Sequence, residues 1–419
     1  MHLTGSLPGT EVRVRFSKAV SLWAVFGIAL CAQGQSARVS AALAAMQRGD
    51  LSAAEQNLRA ASDPEATEIL AVVLDQEKKF GEADGLYRKA LARDPRSAAL
   101  LHNYSNHLTA MGIALSQQRR FDEAQAAFDR ALEVVPEDWN LLYSAGLAAS
   151  HAGHNERARE LLQKAVDRAP DNPNALYDLA VVNLALGQQA RAFELASEAF
   201  QIAPSVPEIS KLYAETASDR GDYDEAAKGW ERYVRAFPKD EIAKRELAFS
   251  RSVAGQSSDD ALRSLNAFVS RHPEDAVALY ELGAAESAGA PDSALKHLNQ
   301  ALAMRPDLTS AYVARGLLLY RQSKADVAAE DFKLAAAREP DNARVLDRLG
   351  QAYTAIDKPQ QAVLVLQRAA SLAPGDSGIL LHLARALSKA GDLEQSKTVF
   401  AQVRELEAKR SNKRLAMTN

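Results

Sequence analysis

Side chains able to do chemistry are thinly spread in this sequence. His151 and His154, in the run HAGH, stand three apart and would suit a pair of metal ligands. Gly153 puts the second of them in a turn, and no third histidine or cysteine lies close by, whereas a zinc site normally takes three or four protein ligands. His102 and His107 are five apart, so on a helix they point to different faces and read as surface. No Gly-rich phosphate loop, Ser–His–Asp arrangement or HExxH pair occurs. Carboxylate pairs such as Asp224–Glu225 fall where helices begin and complement the helix dipole. A cationic set is more distinctive: Arg344 and Arg348 share a helix face, and Arg385 and Lys389 repeat that four-residue spacing further on. Guanidinium groups so placed grip carboxylates through paired hydrogen bonds, which fits an acidic partner segment. The alternative is that Asp341 and Asp347 neutralise them as surface charge. These residues describe a binding protein, not an enzyme, with neither metal nor cofactor.

Composition agrees with an all-helical scaffold. Of 419 residues, 47% are hydrophobic but only 6% aromatic, so alanine and leucine carry the apolar load. The net charge of −4 argues against nucleic acid as a partner. At the N-terminus, Arg13, Arg15 and Lys18 precede an uncharged run from Ala19 to Leu30. Twelve residues are short of the ~20 needed to span a bilayer but suit a secretory leader. Ala32 and Gly34 are the small residues of a cleavage site before Gln35, which makes 1–34 a signal peptide and the protein exported to the periplasm or beyond. The alternative is a membrane anchor at 19–32. Cleavage would remove Glu11 with three cations, leave −6, and take away Cys31, the single cysteine.

What positions the rest is a repeat. Pro95, Pro136, Pro170, Pro204, Pro238, Pro273, Pro306, Pro340 and Pro374 are separated by 41, 34, 34, 34, 35, 33, 34 and 34 residues. Twelve residues before each is an alanine, from Ala83 and Ala124 to Ala328 and Ala362. Five before stands a second, mostly small residue, and between the two lies a mostly bulky one such as Phe128, Trp230 or Leu366. Offsets of four and three put all of these on one helix face, and proline then ends the helix. A second apolar stripe lies upstream, for example Leu142, Ala145, Gly146 and Ala149 before Gly153. Each unit is therefore helix, turn, helix.

This pattern resembles the tetratricopeptide repeat. Ten units fit residues 64–410, a degenerate pair precedes them within 35–63, and 411–419 is a tail. The resemblance implies an all-α, right-handed α-solenoid superhelix of about eleven helix pairs, with a concave groove lined by first helices. The second unit is seven residues too long. Leu101, Tyr104, Leu108, Met111 and Leu115 keep their spacing through it, so the excess lengthens one first helix by two turns. Those turns are expected to project, with His102, Asn103, Ser105, Asn106 and His107 on a polar face.

In the family the groove is lined mainly by positions 2, 5, 9 and 12 of each unit. Here these include Tyr143, Tyr177, Arg245, Phe249, Tyr280, Arg344 and Arg385, joined by Arg348 and Lys389 on the same faces. Tyrosines beside Asn140 and Asn174 suit an extended peptide. The family's carboxylate clamp is half present: Arg344 and Arg348 match its second half, but Val313 and Leu317 replace the first. Two functions follow from the resemblance: a scaffold binding protein segments in a cell-envelope assembly, or a carbohydrate- or polymer-handling protein that stacks sugars on the same tyrosines.

Overall fold

In a computed structural model of the protein, residues 37–418 are described apart from 62 and 257. The signal-peptide or anchor segment, with Cys31, lies outside the described residues. Among the described residues there are 22 helices and no strand. In chain order they are α1 (Ala37–Gln47), α2 (Leu51–Arg59), α3 (Pro64–Gln76), α4 (Phe80–Arg93), α5 (Ala98–Gln117), α6 (Phe121–Val134), α7 (Trp139–His151), α8 (Asn155–Arg168), α9 (Pro173–Ala185) and α10 (Gln189–Ile202). They continue as α11 (Pro207–Arg220), α12 (Tyr223–Ala236), α13 (Glu241–Val253), α14 (Ser258–Arg271), α15 (Ala276–Glu286) and α16 (Pro291–Met304). The last six are α17 (Thr309–Arg321), α18 (Ala325–Arg338), α19 (Ala343–Ala355), α20 (Pro359–Leu372), α21 (Ser377–Ala390) and α22 (Leu393–Thr418). They form two compact units, α1 to α10 and α11 to α22. Within each unit every helix packs on its neighbours in sequence, so each is an α-solenoid.

The small–bulky–small face of each second helix is the core. Ala83, Ala124, Ala158, Ala192, Ala226, Ala294, Ala328 and Ala362 are fully buried, and so are Leu162, Leu265, Leu298 and Leu366. The bulky residue occupies the space that a glycine on the first helix leaves open. A Cβ built on Gly350 would lie 2.3 Å from Leu366 Cγ, and one on Gly146 would lie 2.7 Å from Leu162 Cγ.

Two local devices recur at these helix ends. Most first helices stop at a residue with positive φ, glycine at Gly49, Gly153, Gly187, Gly221, Gly255 and Gly391 and a side-chain-bearing residue at Lys78, Arg119, Ser323 and Asp357, whereas α15 ends without one. The following amide then bonds back to an orphan carbonyl, as His154 N does to Ala149 O at 2.9 Å. At the other end, an Asp or Asn two residues beyond the repeat proline caps the next first helix, as at Asp138, Asn172, Asp240, Asp275, Asn342 and Asp376.

The insertion is a single helix of 20 residues, α5. Its polar face differs from the one expected. His102 and Asn106 stay exposed and bond each other at 3.1 Å, but Ser105 and His107 are buried. The added turns pack back on the preceding pair instead of projecting: the Tyr104 ring centroid lies 5.8 Å from that of Tyr87 on α4, and the next turn follows. His107 Nδ1 lies 2.5 Å from Asp75 Oδ1 of α3, and the ring centroid is 5.1 Å from that of Tyr87 on α4. Gly112, against Phe128, marks the register that pairs α5 with α6, so the extra turns are the N-terminal ones.

Candidate functional site

The side chains expected to bind fall into three clusters on first helices. In unit 1, the caps at Asp138 and Asn172 fix the starts of α7 and α9, which makes Tyr143 and Tyr177 the fifth residues of their repeats. Tyr143 Oη donates to Asp178 Oδ2 at 2.6 Å and so joins the two helices. Among the described residues no cation pairs with Asp178. Burial pushes its carboxyl up to about 6, with the Tyr143 hydrogen bond and the charge of His151 acting the other way. Burial also raises the Tyr143 phenol, and Asp178 adds to this. Tyr177 is half-buried beside the pair. His151 and His154 have separate occupations: one bonds Leu147 O at 2.8 Å and stacks on Phe121, the other bonds Gln125 at 2.8 Å. Among the described residues no three His, Cys, Asp or Glu side chains converge as metal ligands.

The second cluster, in unit 2, is closed. Arg245 and Phe249, expected on the open face, are 8% and 6% exposed. Three carboxylates surround Arg245: Glu246 at 2.6 Å, Asp275 at 3.1 Å and Glu281 at 2.9 Å, the last without hydrogen-bond alignment. Asp275 serves twice, because its other oxygen caps α15. Burial, then repulsion from Glu246, pushes Glu281 well above the usual carboxylate range, against the pull of Arg245. Burial works against the charge of Arg245, but the carboxylates prevail and hold its pKa above the ordinary value. Phe249 sits edge-on to Tyr223, with centroids 5.4 Å apart, and packs on Tyr280 at 5.7 Å. Tyr280 is thereby half-buried, and burial raises its phenol.

The third cluster holds the expected cations, and the structure separates them. Arg344 crosses within unit 2 to the Arg220 carbonyl at the end of α11, at 2.5 Å. Lys389 turns to the Thr354 carbonyl at 3.0 Å and to Asp357 at 3.6 Å. Arg348 meets only Gln351, at 3.5 Å, and Arg385 pairs with nothing among the described residues. Neither carboxylate expected to neutralise them does so: Asp347 pairs with His382 at 2.7 Å, and Asp341 with Arg368.

A shared geometry underlies these clusters. The fifth residue of one repeat faces the sixth of the next, giving the rungs Tyr143–Asp178, Arg245–Glu281 and Asp347–His382. Sequence reading considered the fifth positions and passed over Asp178, Glu281 and His382. Counting one position further along each unit would have found them. It also missed the buried group around His107, in which Asp84 bonds Tyr104 at 3.2 Å and Arg130 at 2.6 Å. Burial raises Asp84, but Arg130 and Arg88 outweigh it and hold the carboxyl below its usual range.

Among curated proteins, the chain is 37% identical over 106 residues to the type IV pilus assembly protein PilF of Pseudomonas aeruginosa, covering 24% of this chain and 38% of that protein. It is 36% identical over 101 residues to DnaJ homolog subfamily C member 3 of Mus musculus, covering 24% of this chain and 19% of the relative. The matched stretch thus spans well under half of either relative. Among solved structures, yeast Tom70 aligns over 88% of this chain and 96% of its own, at 13% identity and a TM-score of 0.41. MamA from Desulfovibrio magneticus aligns over 41% of this chain and 97% of its own, at 24% identity and a TM-score of 0.37. The tetratricopeptide-repeat profile matches residues 109–173, 145–207, 253–309 and 313–377, and a second profile of the same description matches 357–417. With the helix pairs, caps and small–bulky faces already described, these matches over more than half its length make the chain a member of the tetratricopeptide-repeat family.

Proposed function

We propose that this protein is an exported scaffold whose first-helix faces hold extended segments of protein partners, within a cell-envelope assembly. The observation that supports the reading is the way the repeats divide their side chains. Second helices spend their small–bulky–small face on the core, while first helices keep Tyr143, Tyr177, Arg348 and Arg385 outside it. A solenoid offers such faces as a continuous binding surface. Export rests on the basic residues and short apolar run before Gln35. Among the described residues, no helix is long and apolar enough to cross a membrane. The similarity to a pilus assembly protein supports an envelope setting.

Two measurements test the proposal. Immobilised full-length protein should retain protein partners from an envelope fraction, and a Tyr143→Ala/Tyr177→Ala variant should lose them. Pelleting with purified polysaccharide and no protein capture would favour the sugar-stacking alternative. Mass spectrometry of the protein from its native host should give a mature N-terminus near Gln35, and an intact Met1 in soluble cytoplasm would overturn export.

A further inference from the structure

We infer that the Tyr143–Asp178 rung of unit 1 is the receptor for a cationic side chain, a lysine or arginine on a partner's extended segment. The inference rests on the scaffold reading above and names the chemistry of one of its contacts. Its basis is the comparison of equivalent rungs. At the sixth position of its repeat, Glu281 meets the guanidinium of Arg245 from the preceding first helix. At the same position the one hydrogen bond that Asp178 receives among the described residues comes from the neutral Tyr143 hydroxyl, through Oδ2. Its remaining oxygen has no partner among the described residues, so the site has the acceptor of an ion pair without the donor. Asn174, one turn before Asp178 on α9, and Asn140, one turn before Ser144 on α7, are polar side chains on the same helices. An amide there can pair with the backbone of a bound segment, and the Tyr143 and Tyr177 rings can cover a lysine stem.

The groups that act on Asp178 are few. On its own helix, α9, it is the single charged residue. From α7 the Tyr143 hydroxyl and His151 act on it, and no charged group of α8 or α10 does. A carboxyl that titrates near 6 in this setting gains a favourable ion pair only when ionised. Binding of a lysine therefore releases a proton below that pH and none well above it.

The test uses the full chain and two capped, fluorescent octapeptides, one alternating lysine with alanine and one alternating glutamate with alanine. Anisotropy titrations at pH 5 and pH 7 read the dissociation constants. The lysine peptide should bind in preference to the glutamate peptide, and about tenfold more weakly at pH 5 than at pH 7, following the ionised fraction of one carboxyl. Asp178→Asn keeps the shape and the Tyr143 contact, and it should weaken binding at pH 7 and abolish the pH dependence. Preference for the glutamate peptide, or equal affinity and pH dependence in Asp178→Asn, overturns the inference and leaves the scaffold reading standing. If neither peptide binds while Tyr143→Ala/Tyr177→Ala still captures envelope proteins normally, both fail, because the unit 1 face is then not a binding surface.

Discussion

Asp178 on α9 and Glu281 on α15 are carboxylates at the same position of their repeats, and one residue type opposite them separates their fates. Opposite Glu281 stands Arg245, which gathers Glu246 and Asp275 as well and closes over, at 8% exposure. Opposite Asp178 stands Tyr143, which supplies one hydrogen bond and no charge. The same rung is therefore a buried structural cluster in unit 2 and a half-answered carboxylate in unit 1. Arg348 is a third case: Val313 stands at the position facing it, and among the described residues the guanidinium reaches only Gln351. Repeat geometry builds the rung each time, and the pair of side chains decides whether it holds the fold together or remains open to a partner.

The largest effect that would break this contrast is expected at the closed rung. Arg245→Met keeps much of the stem but leaves three carboxylates facing one another, which should cost about 3–5 kcal/mol. Urea unfolding of the full chain should then begin at a clearly lower concentration. If it does not, Arg245 contributes no more than a surface charge and the two rungs are alike.

Asp178→Asn should move stability in the opposite direction, and only above a certain pH. The native carboxyl titrates near 6, above its unfolded value of about 4. The native state thus holds the proton more tightly, so its stability falls as pH rises from about 4 through 6 and stays at the lower level beyond. The amide removes that penalty: the variant should exceed wild type by roughly 1–3 kcal/mol at pH 7 and match it below about pH 4. Equal stability at pH 7 would mean that Asp178 is well solvated.

Smaller effects should be equal in the two units, which sharpens the contrast by confining it to the rungs. The caps Asn172 in unit 1 and Asp376 in unit 2 each accept from two backbone amides. Replacing either by alanine should cost about 1 kcal/mol by denaturant titration, and a large inequality would trace the difference to the units themselves. Smallest of all, Lys78→Gly and Ser323→Gly relieve side chains held at φ of 61° and 62°. Each should gain from a few tenths to about 1 kcal/mol. A loss at either would show that its side chain makes a contact that outweighs the strain.

By itself the sequence determined the repeat, because period is a local property. An alanine twelve residues before a proline, a bulky residue four further on and a small one after that dictate a helix face and its end, whatever lies around them. The length of α5 was legible for the same reason, since seven residues are nearly two whole turns. Tertiary structure alone decided which polar groups are shared between helices. Ser105 and His107 looked like a polar face along α5, but the pair before it offers Asp75 and Tyr87, 32 and 20 residues back in the chain, and the imidazole is buried between them. Arg245 looked like a groove cation until Asp275 and Glu281 came to it from the next repeat. Such encounters join residues about one repeat apart, where no single helix's periodicity records which side chains face each other. Only the packing of first helix on first helix sets that register.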